Sequence, residues 1–233
     1  MTDEMQHEAS GAPQGSPWFL ALVVLFVACL IVANIVAVKV VTIGGLVMPA
    51  GIIVFPVSYI VGDVITEVYG FRAARRVIWY GFGANALVVV AIWAAQALPP
   101  APFWRDQAAF ESVLGQVPRI VAASLVAYLV GEFANAYVLA RMKVATGGRW
   151  LWARTIGSSL VGQGLDSTVF IAVAFAGIMP WPVLAGAIVT QWLVKCGYEA
   201  LATPATYAVC GFLKRREGVD AYDRNIRFTP LSL

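Results

Sequence analysis

An all-α, polytopic membrane protein built as a bundle of six transmembrane helices is the fold class this sequence predicts, on three observations. Of its 233 residues 60% are hydrophobic and 12% charged, against about 45–50% and about 25% in soluble domains. The apolar residues gather into six stretches, each near or above the ~20 residues that a spanning helix needs. The basic residues, finally, fall in alternate connections between those stretches.

Each element follows in order from the chain. Residues 1–16 are polar, lean acidic through Asp3, Glu4 and Glu8, and carry Gly and Pro. This composition predicts a disordered N-terminal tail. It lacks the basic start of a cleaved signal peptide, and the apolar run that follows is too long for one. The predicted spans are Trp18–Val41, Ala50–Tyr69, Arg76–Ala97, Pro118–Met142, Leu151–Ile178 and Pro182–Leu213, forming one membrane domain over 17–214. Residues 215–233 are the predicted C-terminal tail. Pro182 suits a first helical turn. Pro56 and Pro204 lie inside predicted spans, where proline frees a carbonyl and bends the helix. The connection from Pro99 to Val117 is the longest on its side; its Phe103 and Trp104 suit an interfacial anchor or a lid over a site. No internal repeat is visible.

Charge sets the orientation. Twelve of the sixteen basic residues lie after the second span (Arg72, Arg75, Arg76), around the fourth-to-fifth connection (Arg141, Lys143, Arg149, Arg154) and in the C-terminal tail (Lys214, Arg215, Arg216, Arg224, Arg227). The opposite side has Arg105 and Arg119. The positive-inside rule puts the twelve, and both termini, in the cytoplasm.

Several chemistries are excluded. The one histidine, His7, is in the N-terminal tail, so no His-based catalysis or His-ligated metal belongs to the membrane domain. Cys29, Cys196 and Cys210 are odd in number and dispersed in apolar segments, which fits packing rather than a disulfide framework or zinc site. No GxxxxGK[ST] loop for nucleotide phosphates, no intramembrane protease motif and no basic nucleic-acid patch occurs. No metal and no cofactor is expected, and the chain reads as a non-enzyme.

The informative residues are the charges inside the spans. An ionisable side chain in hydrocarbon costs roughly 2.5–3.5 kcal/mol on insertion scales, so such residues face an interior or a ligand. Residues three or four apart share a helix face. The second span presents Asp63 and Glu67, the fourth Glu132 with Asn135, the fifth Gln163 and Asp166, and the sixth Gln191, Lys195 and Glu199. The first adds Asn34, with Lys39 near its far end. The candidate substrate-binding set is Asn34, Asp63, Glu67, Glu132, Gln163, Asp166, Gln191, Lys195 and Glu199. Competing structural readings stand beside it. Asp63 and Glu67 share a proton as a carrier, or Glu67 pairs with Arg72, Arg75 or Arg76. Lys195 and Glu199 bind a ligand, or neutralise each other one turn apart. Asn34, Asn135 and Gln163 are ligand contacts or interhelical hydrogen-bond glue. The small residues Gly157, Ser158, Ser159, Gly162, Gly164 and Ser167 let the fifth span approach a neighbour closely. The general reading is a carrier of a small polar molecule.

Three strings narrow it: FPVSYIVGDVITEVYGFRAARR from Phe55 to Arg76, RTIGSSLVGQGLDSTVF from Arg154 to Phe170, and KCGYEALATPATY from Lys195 to Tyr207, with DAYDRNIRFTP in the tail. Together they resemble the vitamin uptake transporter (VUT) family, over nearly the whole chain beyond the N-terminal tail. The resemblance implies six bacterial inner-membrane helices, a fold akin to the S-components of energy-coupling-factor transporters, and import of queuosine precursors, 7-deazaguanine bases such as preQ0 and preQ1. It implies a small-molecule 7-deazapurine and the lipid bilayer as partners, and leaves oligomerisation open. A carboxylate can accept the adjacent N1–H and amine of such a base, and Gln or Lys can donate to its carbonyl. Phe55, Tyr59 or Trp192 can stack on its face. A cationic aminomethyl group favours a second carboxylate. The rival implied role is a substrate-capture subunit for another small polar molecule, dependent on a separate energising module.

Overall fold

The computed structural model describes residues 16–223, apart from 38, 44, 45, 116, 117, 176, 178 and 179. The helices are α1 (Pro17–Val36), α2 (Phe55–Tyr69), α3 (Phe71–Ala97), α4 (Gln107–Leu114), α5 (Pro118–Ala145), α6 (Leu151–Phe175) and α7 (Trp181–Glu217). Between α1 and α2 the chain forms an antiparallel hairpin of β1 (Val40–Ile43) and β2 (Leu46–Pro49), then a 3-10 turn over Ala50–Ile53. Among the described residues, four helices are long and apolar enough to cross a membrane: α1, α3, α5 and α6.

Polarity is turned inside out. Asp63 is 0% and Glu67 1% exposed, whereas Leu87 and Leu201 are 69% and 84% exposed. A water-soluble fold reverses that order; here the outer surface matches lipid and the interior carries the polar groups. The apolar core clusters Phe26, Leu30, Val61, Val64, Ile65, Val68, Val77 and Ile78 of α1, α2 and α3 with Ala136 and Ala140 of α5, Leu151 of α6, and Cys210 and Leu213 of α7. Gly70, at φ +83°, is the single residue between α2 and α3; that conformation is cheap for glycine and reverses the chain without a loop. Elsewhere α5 and α6 meet backbone to backbone. A Cβ on Gly131 would lie 2.7 Å from Asp166 Cβ, and one on Gly162 would lie 2.7 Å from Asn135 Cβ.

At one end of the bundle a single carboxylate gathers three helices around α2. Glu67 accepts hydrogen bonds from Arg154 of α6, one of them from Nη2 at 3.1 Å, and from Lys214 Nζ of α7 at 2.6 Å. Lys143 of α5 donates to the Glu67 carbonyl and stands 3.6 Å from its carboxylate. Arg154 also donates to the carbonyls of Arg149 and Gly148, both at 3.1 Å. With several donors on one carboxylate and acceptors left for Arg154, the buried charges are compensated, the condition under which such a cluster survives in low dielectric.

The segment after α7 folds back on this end as a strap. Gly218, at φ +65°, ends the helix. Asp220 then bonds Lys143 and lies 2.9 Å from Lys214 Nζ. The Ala221 amide donates to Val68 O at 3.1 Å, and Asp223 Oδ2 accepts from the Phe71 amide at 2.8 Å, occupying an orphan donor at the start of α3. Ser16 and Tyr69 both donate to Glu217. The start of α1 and the end of α7 therefore sit together.

Several expectations change. The first span stops at Val36, and Lys39, expected inside it, is exposed in the bend before β1. Pro56 lies in the first turn of α2, where a missing N–H is harmless, rather than inside a span from Ala50. Pro204 stays within one unbroken helix. The connection after α3 contains α4, which has no buried residue. Residues 215–217 extend α7 rather than beginning the tail. The predicted N-terminal tail, with His7, lies outside the described residues except for Ser16, as do Arg224 and Arg227.

Two tests follow. Glu67→Gln leaves buried cations without their counter-charge and should cost about 3–5 kcal/mol, measured by equilibrium unfolding in mixed micelles; a loss below about 1 kcal/mol would remove the cluster's structural role. Burial pushes the Asp220 carboxyl up, but Lys143 and Lys214 outweigh it and hold it below the ordinary 3.8. The stability it contributes is therefore full above 3.8 and lost as pH falls through the lower folded value. The Tm gap between the protein and its Asp220→Asn variant should be present at pH 7 and close only below that range.

Candidate functional site

A cavity of about 450 Å³ opens in the half of the bundle away from the Glu67 cluster. Its wall includes the end of α1, the 3-10 turn, the start of α2, Asn85 of α3, the first half of α5, and facing stretches of α6 and α7. That size lies within the roughly 300–1,000 Å³ of small-molecule pockets.

Helical periodicity builds its chemistry. On α2, Phe55, Tyr59, Asp63 and Glu67 follow at four-residue intervals and descend one face from the cavity to the ion cluster. On α7, Gln191, Lys195 and Glu199 do the same, and all three line the cavity. From α6 come Gln163, Asp166 and Phe170. The close α5–α6 approach at Gly131 and Gly162 holds Asp166 against α5.

Polar contacts divide the residues into those already satisfied and those waiting. Lys195 Nζ bonds Asp166 and lies 4.7 Å from the centroid of the Phe55 ring. Asn34 Nδ2 donates to Asn85 Oδ1 at 2.6 Å, and Asn85 Nδ2 donates to Gly81 O at 2.9 Å. Tyr128 spends its hydroxyl on Ile78 O at 3.0 Å. Tyr59 and Gln163, by contrast, are cavity-lining residues whose hydroxyl and Oε1 are buried with no hydrogen-bond partner among the described residues. Burying such groups unmade is costly, so two oriented polar atoms are left for a ligand. The Phe55 and Tyr59 rings lie 5.0 Å apart beside them.

Below the cavity is a carboxyl layer. Asp63 accepts from Asn135 Nδ2 at 2.7 Å, and Glu199 is near enough to Asp63 to interact with it electrostatically. Glu132 interacts electrostatically with Asp63 and Asp166. Among the described residues no Lys or Arg ion-pairs with Asp63, Glu132 or Glu199.

Of the nine candidates, Asn34, Gln163, Asp166, Gln191, Lys195 and Glu199 line the cavity. Asp63 and Glu132 are buried beneath it. Glu67 is remote from it, in the ion cluster, and its partners are Arg154, Lys143 and Lys214 rather than Arg72, Arg75 or Arg76. Lys195 pairs with Asp166 across helices, not with Glu199 along its own. Trp192, a stacking candidate, donates its indole N–H to Leu160 O at 2.9 Å and is absent from the lining. No described residue of the Pro99–Val117 connection lines the cavity. Sequence reasoning passed over Asn85 and Tyr128. The available signals were a lone Asn in the middle of an apolar span and a Tyr one turn before Glu132.

A family model described as "Putative vitamin uptake transporter" matches residues 49–209. The chain belongs to the vitamin uptake transporter family. The matched region contains every cavity-lining residue from Gly51 to Glu199. Among members similar to it, the "Probable queuosine precursor transporter" of Bacillus subtilis (strain 168) is 30% identical over 177 residues, 76% of this chain and 77% of that protein. The "Queuosine precursor transporter" of Escherichia coli (strain K12) is 26% identical over 121 residues, 52% of each chain. No solved structure matches the chain. Family membership and the four apolar helices make this a multi-pass membrane protein.

If the Tyr59 hydroxyl awaits a ligand, removing it should leave the empty protein no less stable, because an unsatisfied buried group is lost. Tyr59→Phe should keep the Tm within about 1 °C and weaken ligand binding several-fold. A Tm fall of several degrees would instead assign the hydroxyl a structural bond.

Proposed function

We propose that this chain imports queuosine precursors, 7-deazaguanine bases such as preQ0 and preQ1, across the bacterial inner membrane. The observation that carries the reading is the similarity to the Bacillus subtilis queuosine precursor transporter over three quarters of both chains. The cavity supports it chemically. A deazaguanine presents adjacent N–H donors and a carbonyl acceptor on one edge. Asp166 and Glu199 supply carboxylate acceptors, Gln163 Oε1 an unused acceptor, and Lys195 and the Tyr59 hydroxyl donors. Phe55 and Tyr59 supply aromatic surface for its face. Every group named binds and orients; the base crosses unchanged, and the chain acts as a carrier rather than an enzyme.

The architecture we infer is a six-crossing bundle akin to the S-components of energy-coupling-factor transporters, with α2 and α7 joining the four apolar helices. In its support, Ser16, Tyr69, Phe71, Lys143, Arg154 and Glu217 mark ends of α1, α2, α3, α5, α6 and α7 that gather at one end of the bundle. Returning to that end after each pair of helices gives six crossings. α2 is short, at 15 residues, and the charges in the middle of the two helices, Asp63 and Glu67 on α2 and Lys195 and Glu199 on α7, face inward. The basic end faces the cytoplasm on the positive-inside rule, which puts both termini inside and the cavity in the outer half.

The test is uptake of radiolabelled preQ0 and preQ1 by a strain that cannot synthesise them and lacks its own transporter. This chain alone should restore uptake. Asp166→Asn, nearly isosteric but unable to hold Lys195 by charge, should lower it at least tenfold at equal membrane abundance. Uptake by the unaltered chain no higher than empty vector would overturn the proposal, and uptake restored only with an added ATPase module would recast the chain as a capture subunit.

A further inference from the structure

Two features that a planar base would use in the cavity are both occupied by one atom of the protein. Lys195 Nζ is held by the Asp166 carboxylate and faces the Phe55 ring at 4.7 Å. A primary ammonium between a carboxylate and an aromatic face is the arrangement by which proteins recognise alkylammonium groups. Here the ammonium belongs to the chain itself.

We propose that Lys195 is a tethered stand-in for a cationic ligand group: a base bearing a protonated primary amine takes over Asp166 and the Phe55 face and displaces Lys195 toward Glu199, whereas a neutral base binds with Lys195 in place. The inference rests on the proposed import of deazaguanine bases and assigns to Lys195 the discrimination between their neutral and cationic forms.

Three observations carry it. First, Lys195 has somewhere to go. Glu199 is one turn further along the same face of α7, lines the same cavity, and has no Lys or Arg ion-paired to it among the described residues. Second, the Lys195 contact is not sealed. Its side chain lines the cavity and is 14% exposed, and a lysine on its four-carbon stem re-aims its charge at little cost, unlike the planar fork of arginine. Third, the charges fit. The lining carries Asp166 and Glu199 against Lys195 alone, with Asp63 and Glu132 beneath, so a second ammonium finds a carboxylate of its own. A neutral base brings no charge to replace Lys195, and needs Lys195 as a donor to its carbonyl.

The experiment measures dissociation constants of preQ0 (7-cyano, neutral) and preQ1 (7-aminomethyl, protonated at pH 7) on the full chain in lipid nanodiscs. Lys195→Gln removes the competing cation, and the affinity ratio should shift at least tenfold toward preQ1. Lys195→Arg, pairing with Asp166 more rigidly, should shift it toward preQ0. A ratio within twofold of the unaltered protein in both variants overturns the inference. A readout that needs no variant is the NMR signal of ¹³C-methylated Lys195: preQ1 should abolish its ring-current shift from Phe55 and preQ0 should preserve it, and equal shifts with both ligands overturn the inference as well. Failure of the unaltered protein to bind either base would instead defeat the import reading.

Discussion

A buried carboxylate that stays charged in a bilayer-spanning bundle is costly unless cations offset it, and Glu67 draws three of them. Arg154, Lys143 and Lys214 arrive from α6, α5 and α7 to one side chain on α2. Each is the basic residue at a helix end that orientation rules read as a topological signal. The same charges thus do two things, marking a side of the membrane and closing that end of the bundle. The strap through Asp220 and Asp223 covers the closure from outside. Little about the rest of the molecule is possible without this anchor. The cavity can be spacious at the other end because the helices are fastened here.

From that anchor the interior changes character in layers along α2 and α7. Compensated charge comes first, then the carboxyls Asp63, Glu132 and Glu199, then a mixed aromatic and polar chamber with one ion pair. Attraction, repulsion and stacking are separated by single helical turns. Asp63 and Glu67 are four residues apart and live in different electrostatic surroundings.

That separation marks the limit of what the sequence reveals. Periodicity identifies inward faces well: Gln163, Asp166, Gln191, Lys195 and Glu199 were legible as one interior set because a lipid-facing charge is too costly. Identity of partners is another matter. Glu67 was read against the arginines nearest in sequence, yet its cations lie 76, 87 and 147 positions away, and no spacing rule reaches that far. Lys195 and Glu199 satisfied an intrahelical rule that an interhelical neighbour, Asp166, overrode. The hairpin was hidden for a different reason. Val40–Ile43 and Leu46–Pro49 are apolar enough to extend a span, and short apolar runs do not distinguish strand from helix. The Gly44–Gly45 pair between them was the one hairpin signal. With Ala50–Ile53 taken by the 3-10 turn that follows the hairpin, α2 starts later and Pro56 changes from a kink to a helix start.

The glycines at 131 and 162 bring α5 and α6 so near that a methyl group would not fit between them. With no intervening side chain free to change rotamer, that seam cannot widen by small adjustments. The two helices are a spine that travels as one piece. Any movement of α2 or α7 against this pair then works against the Glu67 cluster, which ties both of them to the spine.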